Sequence, residues 1–231
     1  MKRYLLPSLQ TLLALMLLLA VPDNANAQGR KYVKDQIANY GECRTVAITK
    51  RNGNIMIYQD NGWAANGCPQ EMINTIKKLN NEKKYITDVH LTEKGKWIVL
   101  HGTNEARWNG ITESLKERIL EWNRNGDNVR SISFNDRGEW IAISEEHISA
   151  SNSELQQWVV DGTELYGCAW TACVTDNAMV VVYENGYRYR GSVPQSLKDA
   201  LNETNINVYL IKIAGDSWFF SDGTSAYQYY M

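Results

Sequence analysis

The chain has 231 residues, with 24 Lys and Arg against 26 Asp and Glu and a net charge of −2. That balance, with no basic stripe anywhere along it, excludes the class of proteins that hold nucleic acid by a basic face. A chain of this length can bury one sizeable core.

The first 27 residues read as an address. Lys2 and Arg3 precede an apolar run from Leu12 to Val21, and Ala25-Asn26-Ala27 then offers small residues at the two positions a signal peptidase inspects. This is the pattern of a secretory signal peptide over residues 1–27. The run is too short for a membrane span, which needs about 20 apolar residues. The first cysteine is Cys43, so no thiol stands at the cleavage point to carry a lipid. The expectation is a chain exported to the periplasm or the exterior of a bacterium, with residues 28–231 as a single domain and no membrane span in the mature part. Export permits disulfides. Cys43, Cys68, Cys168 and Cys173 allow three pairings, and bridged and buried-thiol readings both stand. None has metal-ligand spacing.

Val33, Ile37 and Tyr40 share one face of a helix over residues 30–40, stopped by Gly41. Five hairpins follow. Each opens on two apolar residues one apart: Val46/Ile48, Val89/Leu91, Ile132/Phe134, Ala172/Val174 and Ile211/Ile213. The first members are spaced by 43, 43, 40 and 39 residues, a regular period of the kind that marks repeat architectures. Polar turns come next, such as Arg51-Asn-Gly53, Asp136-Arg-Gly138 and Gly215-Asp-Ser217, made of residues that tolerate positive φ. Second strands then begin on Ile55, Trp97, Trp140, Val180 and Trp218 and run on through β-branched and aromatic residues.

A short third strand ending in glycine reads from Trp63-Ala-Ala-Asn-Gly67, Ala106-Arg-Trp-Asn-Gly110 and Tyr187-Arg-Tyr-Arg-Gly191. The third unit is irregular here. Helices follow four hairpins, begun by Pro69, Thr112, Ser153 and Pro194. Asp161-Gly162 ends the helix of the third unit early. The units lie near 44–84, 85–128, 129–167, 168–207 and 208–231.

The fold class is therefore an α/β repeat of five βββα units. The fifth lacks a helix and the helix at 30–40 lacks strands, so the expectation is a closed, five-fold, propeller-like ring in which that helix completes the last unit. In order of elements and in the count of five, the chain resembles the five-fold α/β propeller of the pentein group, with the unit permuted. The resemblance spans residues 28–231 and rests on no sequence motif. It implies, for enzymes of the group, modification of guanidino groups by a Cys nucleophile with a His and acidic partners around a central channel. No Cys follows Cys173 here, and no functional residue carries over.

No catalytic or cofactor motif stands out. His90, His101 and His147 are not spaced as metal ligands. His90 alternates with Val89 and Leu91, so it faces away from that apolar pair. Ser144-Glu-Glu-His147 gathers acid and imidazole and reads as a solvated edge. Trp97, Trp140 and Trp218 recur at one place in the repeat, as packing between units requires. Third-strand aromatics sit beside hydrogen-bonding residues, which suits a sugar ring or a protein partner. The candidate binding residues are Trp63, Arg107, Trp108, Arg188, Tyr189, Tyr227 and Tyr229. The leading reading is a non-enzymatic binding module for a glycan or an envelope protein, needing no cofactor and no metal. The alternative is a hydrolase or a guanidino-modifying enzyme working from a central channel.

Overall fold

The structure, a computed structural model, describes residues 23–50 and 53–231. The apolar run from Leu12 to Val21, read as part of a signal peptide, and the tip of the first turn, Arg51 and Asn52, lie outside the described residues. Helix α1 (Asp23–Tyr40) comes first. Unit one holds β1 (Cys43–Ile48), β2 (Asn54–Tyr58), β3 (Gly62–Asn66) and α2 (Gln70–Asn81). Unit two holds β4 (Ile86–Leu91), β5 (Trp97–His101), β6 (Glu105–Asn109) and α3 (Glu113–Asn125). Unit three holds β7 (Val129–Phe134), β8 (Trp140–Ser144), β9 (Ile148–Ala150) and α4 (Ser153–Tyr166). Unit four holds β10 (Ala169–Val174), β11 (Ala178–Tyr183), β12 (Gly186–Gly191) and α5 (Gln195–Glu203). The last three strands are β13 (Leu210–Ala214), β14 (Ser217–Ser221) and β15 (Tyr227–Tyr230).

Each trio of strands is its own antiparallel sheet in chain order, giving five three-stranded sheets in an α/β repeat arrangement. First and second strands are buried on both faces, which is why they read as near-continuous apolar runs. Third strands are half-exposed. First strands meet one another: β1 with β4, β4 with β7, β7 with β10, β10 with β13, and β13 with β1.

Every helix packs between two sheets. Met72 and Ile76 of α2 sit between Ile55 and Ile57 of one sheet and Val89 and Trp97 of the next. Leu115, Ile119 and Trp122 of α3 join Ile98 to Phe134 and Trp140. Leu155 and Val159 of α4 join Ile143 to Val181, and Leu197 and Leu201 of α5 join Val180 to Ile211 and Trp218. Val33 and Ile37 of α1 join Val46 and Met56 of the first sheet to Phe219 of the last. The recurrent tryptophans Trp97, Trp140 and Trp218 thus tie units two, three and five to the preceding helix. Trp140 Nε1 donates to Ser114 Oγ at 3.2 Å and Trp218 Nε1 to Ser196 Oγ at 3.0 Å, each in a first helical turn.

Three details differ from the sequence reading. The third unit does have a third strand, β9, which is only three residues long. Its helix runs on past Gly162 to Tyr166, because that glycine is a contact surface and not a stop. A Cβ there would lie 2.2 Å from the Tyr183 ring, and the Tyr183 hydroxyl donates to Val159 O at 2.9 Å. The cap of this helix is Asn152, whose side chain accepts from Leu155 N, and not Ser153. At the third-strand ends, Gly191 has φ +76° and a Cβ there would meet Asn177 O at 2.2 Å, so only glycine fits. Among the described residues no helix is long and apolar enough to cross a membrane.

Candidate functional site

Alternation along the first strands gives them a polar face. The residue beside each apolar pair is Thr45, Asp88, Ser131 or Thr171, and these stand at equivalent registers opposite Ile57, Leu100, Ile143 and Val182. Two residues on come Ala47, His90, Ser133, Cys173 and, in unit five, Lys212. These side chains are buried, so each polar group needs a partner. They find partners in other units. Thr45 Oγ1 donates to Asp88 Oδ1 at 2.6 Å, and Lys212 Nζ reaches Asp88 Oδ2 at 2.7 Å. Thr171 Oγ1 donates to Ser131 Oγ at 3.1 Å, and Val174 N to Ser133 Oγ at 2.8 Å.

His90 Nε2–H donates to Phe134 O at 2.6 Å, which leaves the Nδ1 lone pair toward the Ser133 hydroxyl at 3.5 Å. Burial, reinforced by the Lys212 charge, pulls the imidazole down to about 3, so it is neutral. Burial also pushes the Cys173 thiol up to about 11, against the Lys212 charge and a backbone hydrogen bond from Ile213.

Beyond this layer, at the turn end of the first strands, lies a cavity of about 270 Å3 lined from all five units. Its floor carries the buried His90, Cys173 and Lys212, and its walls include Leu91, Phe134 and Ile213. Its rim carries Glu93, Asp136, Asp176 and Asp216 with Lys50, and Arg137 Nε stands 4.0 Å from Asp176 Oδ1. Neighbouring turns are tied together around it. Lys50 N donates to Glu93 Oε1 at 2.5 Å, Thr92 Oγ1 to Asp136 Oδ1 at 2.7 Å, and Asn135 Nδ2 to Thr175 O at 3.2 Å. Among the described residues no group of three His, Cys, Asp or Glu side chains is arranged to hold a metal ion.

Lys212 is the unusual member. An ammonium has three donors, and among the described residues this one has a single acceptor, Asp88. Its side chain is only 6% exposed. Two N–H bonds of this ammonium therefore have no acceptor among the described residues.

The residues singled out on the third strands lie elsewhere, on the outer strands of four different sheets. Trp63 is partly buried with Lys77 of α2 6.0 Å over its ring. Trp108 packs against the α3 cluster, and it lines an open groove with the exposed Arg107. Arg188 hydrogen-bonds Trp158 O and lies 5.1 Å over that ring. Tyr189 is half-buried, and desolvation pushes its phenol up to about 12. Tyr227 and Tyr229 stack at 6.3 Å against the α1 cluster.

Sequence reasoning left Asp88, Cys173 and Lys212 out of any site. Their signal was present: each is the polar residue next to an apolar one that the period aligns across units. His90, read as turned from the apolar pair, does face this shared layer. His147 stands apart, 3.4 Å from Asp127 and 59% exposed. All four cysteines are free thiols, with Cys43 and Cys173 buried and Cys168 exposed.

Compared with known proteins, the chain matches no family model and no curated protein.

Proposed function

We propose that the five units close into a ring and that the protein is an exported, non-enzymatic binding module whose small-molecule site is the cavity at the turn end. Ring closure is supported by the core that α1 shares with the first and last sheets. It is supported also by the hydrogen bond from Ser221 Oγ to Arg44 O and by the Lys212–Asp88 pair.

One observation carries the binding reading: a buried ammonium with unused donors at the floor of a cavity whose rim is acidic. Such a site fits a small bipolar molecule. Its anionic or carbonyl end lies on Lys212, its cationic end among the rim carboxylates, and its apolar middle against Leu91, Phe134 and Ile213. The enzyme reading has less support. Cys173 is a protonated thiol at neutral pH, and His90 is neutral with its Nε2–H committed to a backbone carbonyl.

Thermal-shift and calorimetric titration with ω-amino acids and basic amino acids tests the proposal, with acetate and a simple diamine as controls. The bipolar compounds are expected to bind, the controls to bind far more weakly, and Asp136→Asn with Asp176→Asn to weaken binding about tenfold. Equal binding of the diamine, or binding indifferent to the rim variants, would rule out the bipolar fit.

The open groove beside Arg107, Trp108 and the exposed Leu120 favours a second reading, in which a glycan or envelope protein docks on the outer strands. Loss of a partner in Trp108→Ala or Tyr189→Ala supports it. Unchanged glycan-array and pull-down profiles in both would remove it.

A further inference from the structure

The other end of the first strands carries a second recurring feature. Pairing between first and second strands skips a residue between Cys43 and Thr45, Ile86 and Asp88, Val129 and Ser131, and Ala169 and Thr171. The skipped residues are Arg44, Thr87, Arg130 and Trp170, at the same place in four units. The fifth has no skip; there Tyr209 stands immediately before β13. A β-bulge leaves one residue unpaired and re-aims its side chain. At the end remote from the cavity, Thr87 and Trp170 stay partly exposed and Arg130 exposed, while Arg44 is buried beneath them.

The group is held in place. Trp170 and Tyr209 lie with ring centroids 4.8 Å apart. Tyr209 N donates to Ser221 O at 2.9 Å, and Ser221 Oγ hydrogen-bonds Arg44 O. The Arg44 guanidinium donates to Gln59 O, Ile86 O and Asp60 O at 2.5, 2.8 and 2.7 Å. It also sits 4.1 Å over the Tyr85 ring. So a fixed cation underlies Tyr85, which is still 45% exposed, and Tyr209 is 44% exposed. Arg130 is exposed and, among the described residues, has no hydrogen bond or ion pair.

We infer that this bulged end is a carbohydrate-binding face for neutral, extended glycans. Tyr85, Trp170 and Tyr209 offer ring faces to the C–H surfaces of pyranose rings. Arg130 and Thr87, interleaved with them, offer hydrogen bonds to hydroxyl groups. Trp170 and Tyr209 hold each other, and Arg44 lies against Tyr85, before any ligand arrives, so little ordering entropy is lost on binding.

Calorimetric titration of the full chain with hexamers of β-1,4-linked glucose, N-acetylglucosamine, xylose and mannose tests this. At least one should bind. Tyr209→Ala and Trp170→Ala should each weaken it about tenfold, and Arg130→Ala several-fold. Trp108→Ala, Tyr189→Ala and Asp136→Asn should leave it unchanged, which separates this face from the outer strands and from the cavity. Tyr209 is exposed, so its variant keeps the test valid should Trp170→Ala unfold. Binding that is lost with Trp108 and retained without Tyr209 overturns the proposal. So does the absence of binding to all four hexamers, or capture only of a protein that Tyr209→Ala releases.

Discussion

At the scale of single residues, the consequential choice is a buried charge. Asp88 and Lys212 are both almost fully buried, and each is the other's main compensation. Removing one partner from such a pair costs about 3–5 kcal/mol, because the survivor stays charged in a low-dielectric site. Lys212→Met is expected to show that loss in urea unfolding. The double variant Asp88→Asn with Lys212→Met should recover most of it, since the amide oxygen can still accept from Thr45 and Val89. His90 sets a pH dependence. Its folded value of about 3 lies below the ordinary 6.5, so the unfolded chain takes up a proton that the folded one refuses. Stability therefore falls as pH drops from 6.5 toward 3, by about 1.4 kcal/mol per pH unit from this group. Cys173 shares the floor with it and, pushed up to about 11, stays protonated across that window. His90→Gln keeps a donor for Phe134 O, and its unfolding free energy should be flatter across pH 4–6 than that of the wild type. None of this pairing was legible in the sequence. A polar residue between two apolar ones shows which way it points and nothing of what it meets 124 residues away.

At the scale of elements, local signals were strong. Period-2 apolar pairs with Asn, Asp or Gly turns gave every hairpin, and the periods of Met72, Ile76 and Leu79 and of Leu115, Ile119 and Trp122 gave two helices. The errors came where tertiary packing overrode a local rule. Gly162 reads as a helix stop, yet its lack of a side chain is what admits Tyr183 against α4. Gly162→Ala, which improves helix propensity, is expected to destabilise by about 1–3 kcal/mol through overpacking. Calorimetry on the variant decides, and a raised melting temperature would mean that Tyr183 yields to the added methyl and that the close contact does not require glycine. The aligned bulges were invisible for a different reason. A skipped residue shifts the apolar phase by one, which brings Ile86 into one core with Val89 and Ala169 into one with Ala172, and a reading that begins at each apolar pair starts just beyond that shift.

At the scale of the whole molecule, the period and the mismatch between the first helix and the last three strands were enough to read five units. The offset between chain units and packing units was not. Each hydrophobic core belongs to a helix and the two sheets beside it, so no βββα segment of the chain contains a complete core of its own. Deleting residues 28–41 removes Val33 and Ile37 and uncovers Val46, Met56 and Phe219 together. That chain is expected to unfold at far lower denaturant than the full one, or to fail to fold. A wild-type melt would mean that α1 is an accessory.

The core built on α1 also orders events in time. Four cores join sheets adjacent in sequence and can form while the chain lengthens. The fifth needs Val33 and Phe219 in one place, and closing so long a loop is slow because its entropy is lost before any contact rewards it. Folding should then show a late phase reported by α1 and β14. Amides of α1 should exchange with solvent sooner than those of β5 or β8. Until β14 and β15 are in place, the last core cannot set.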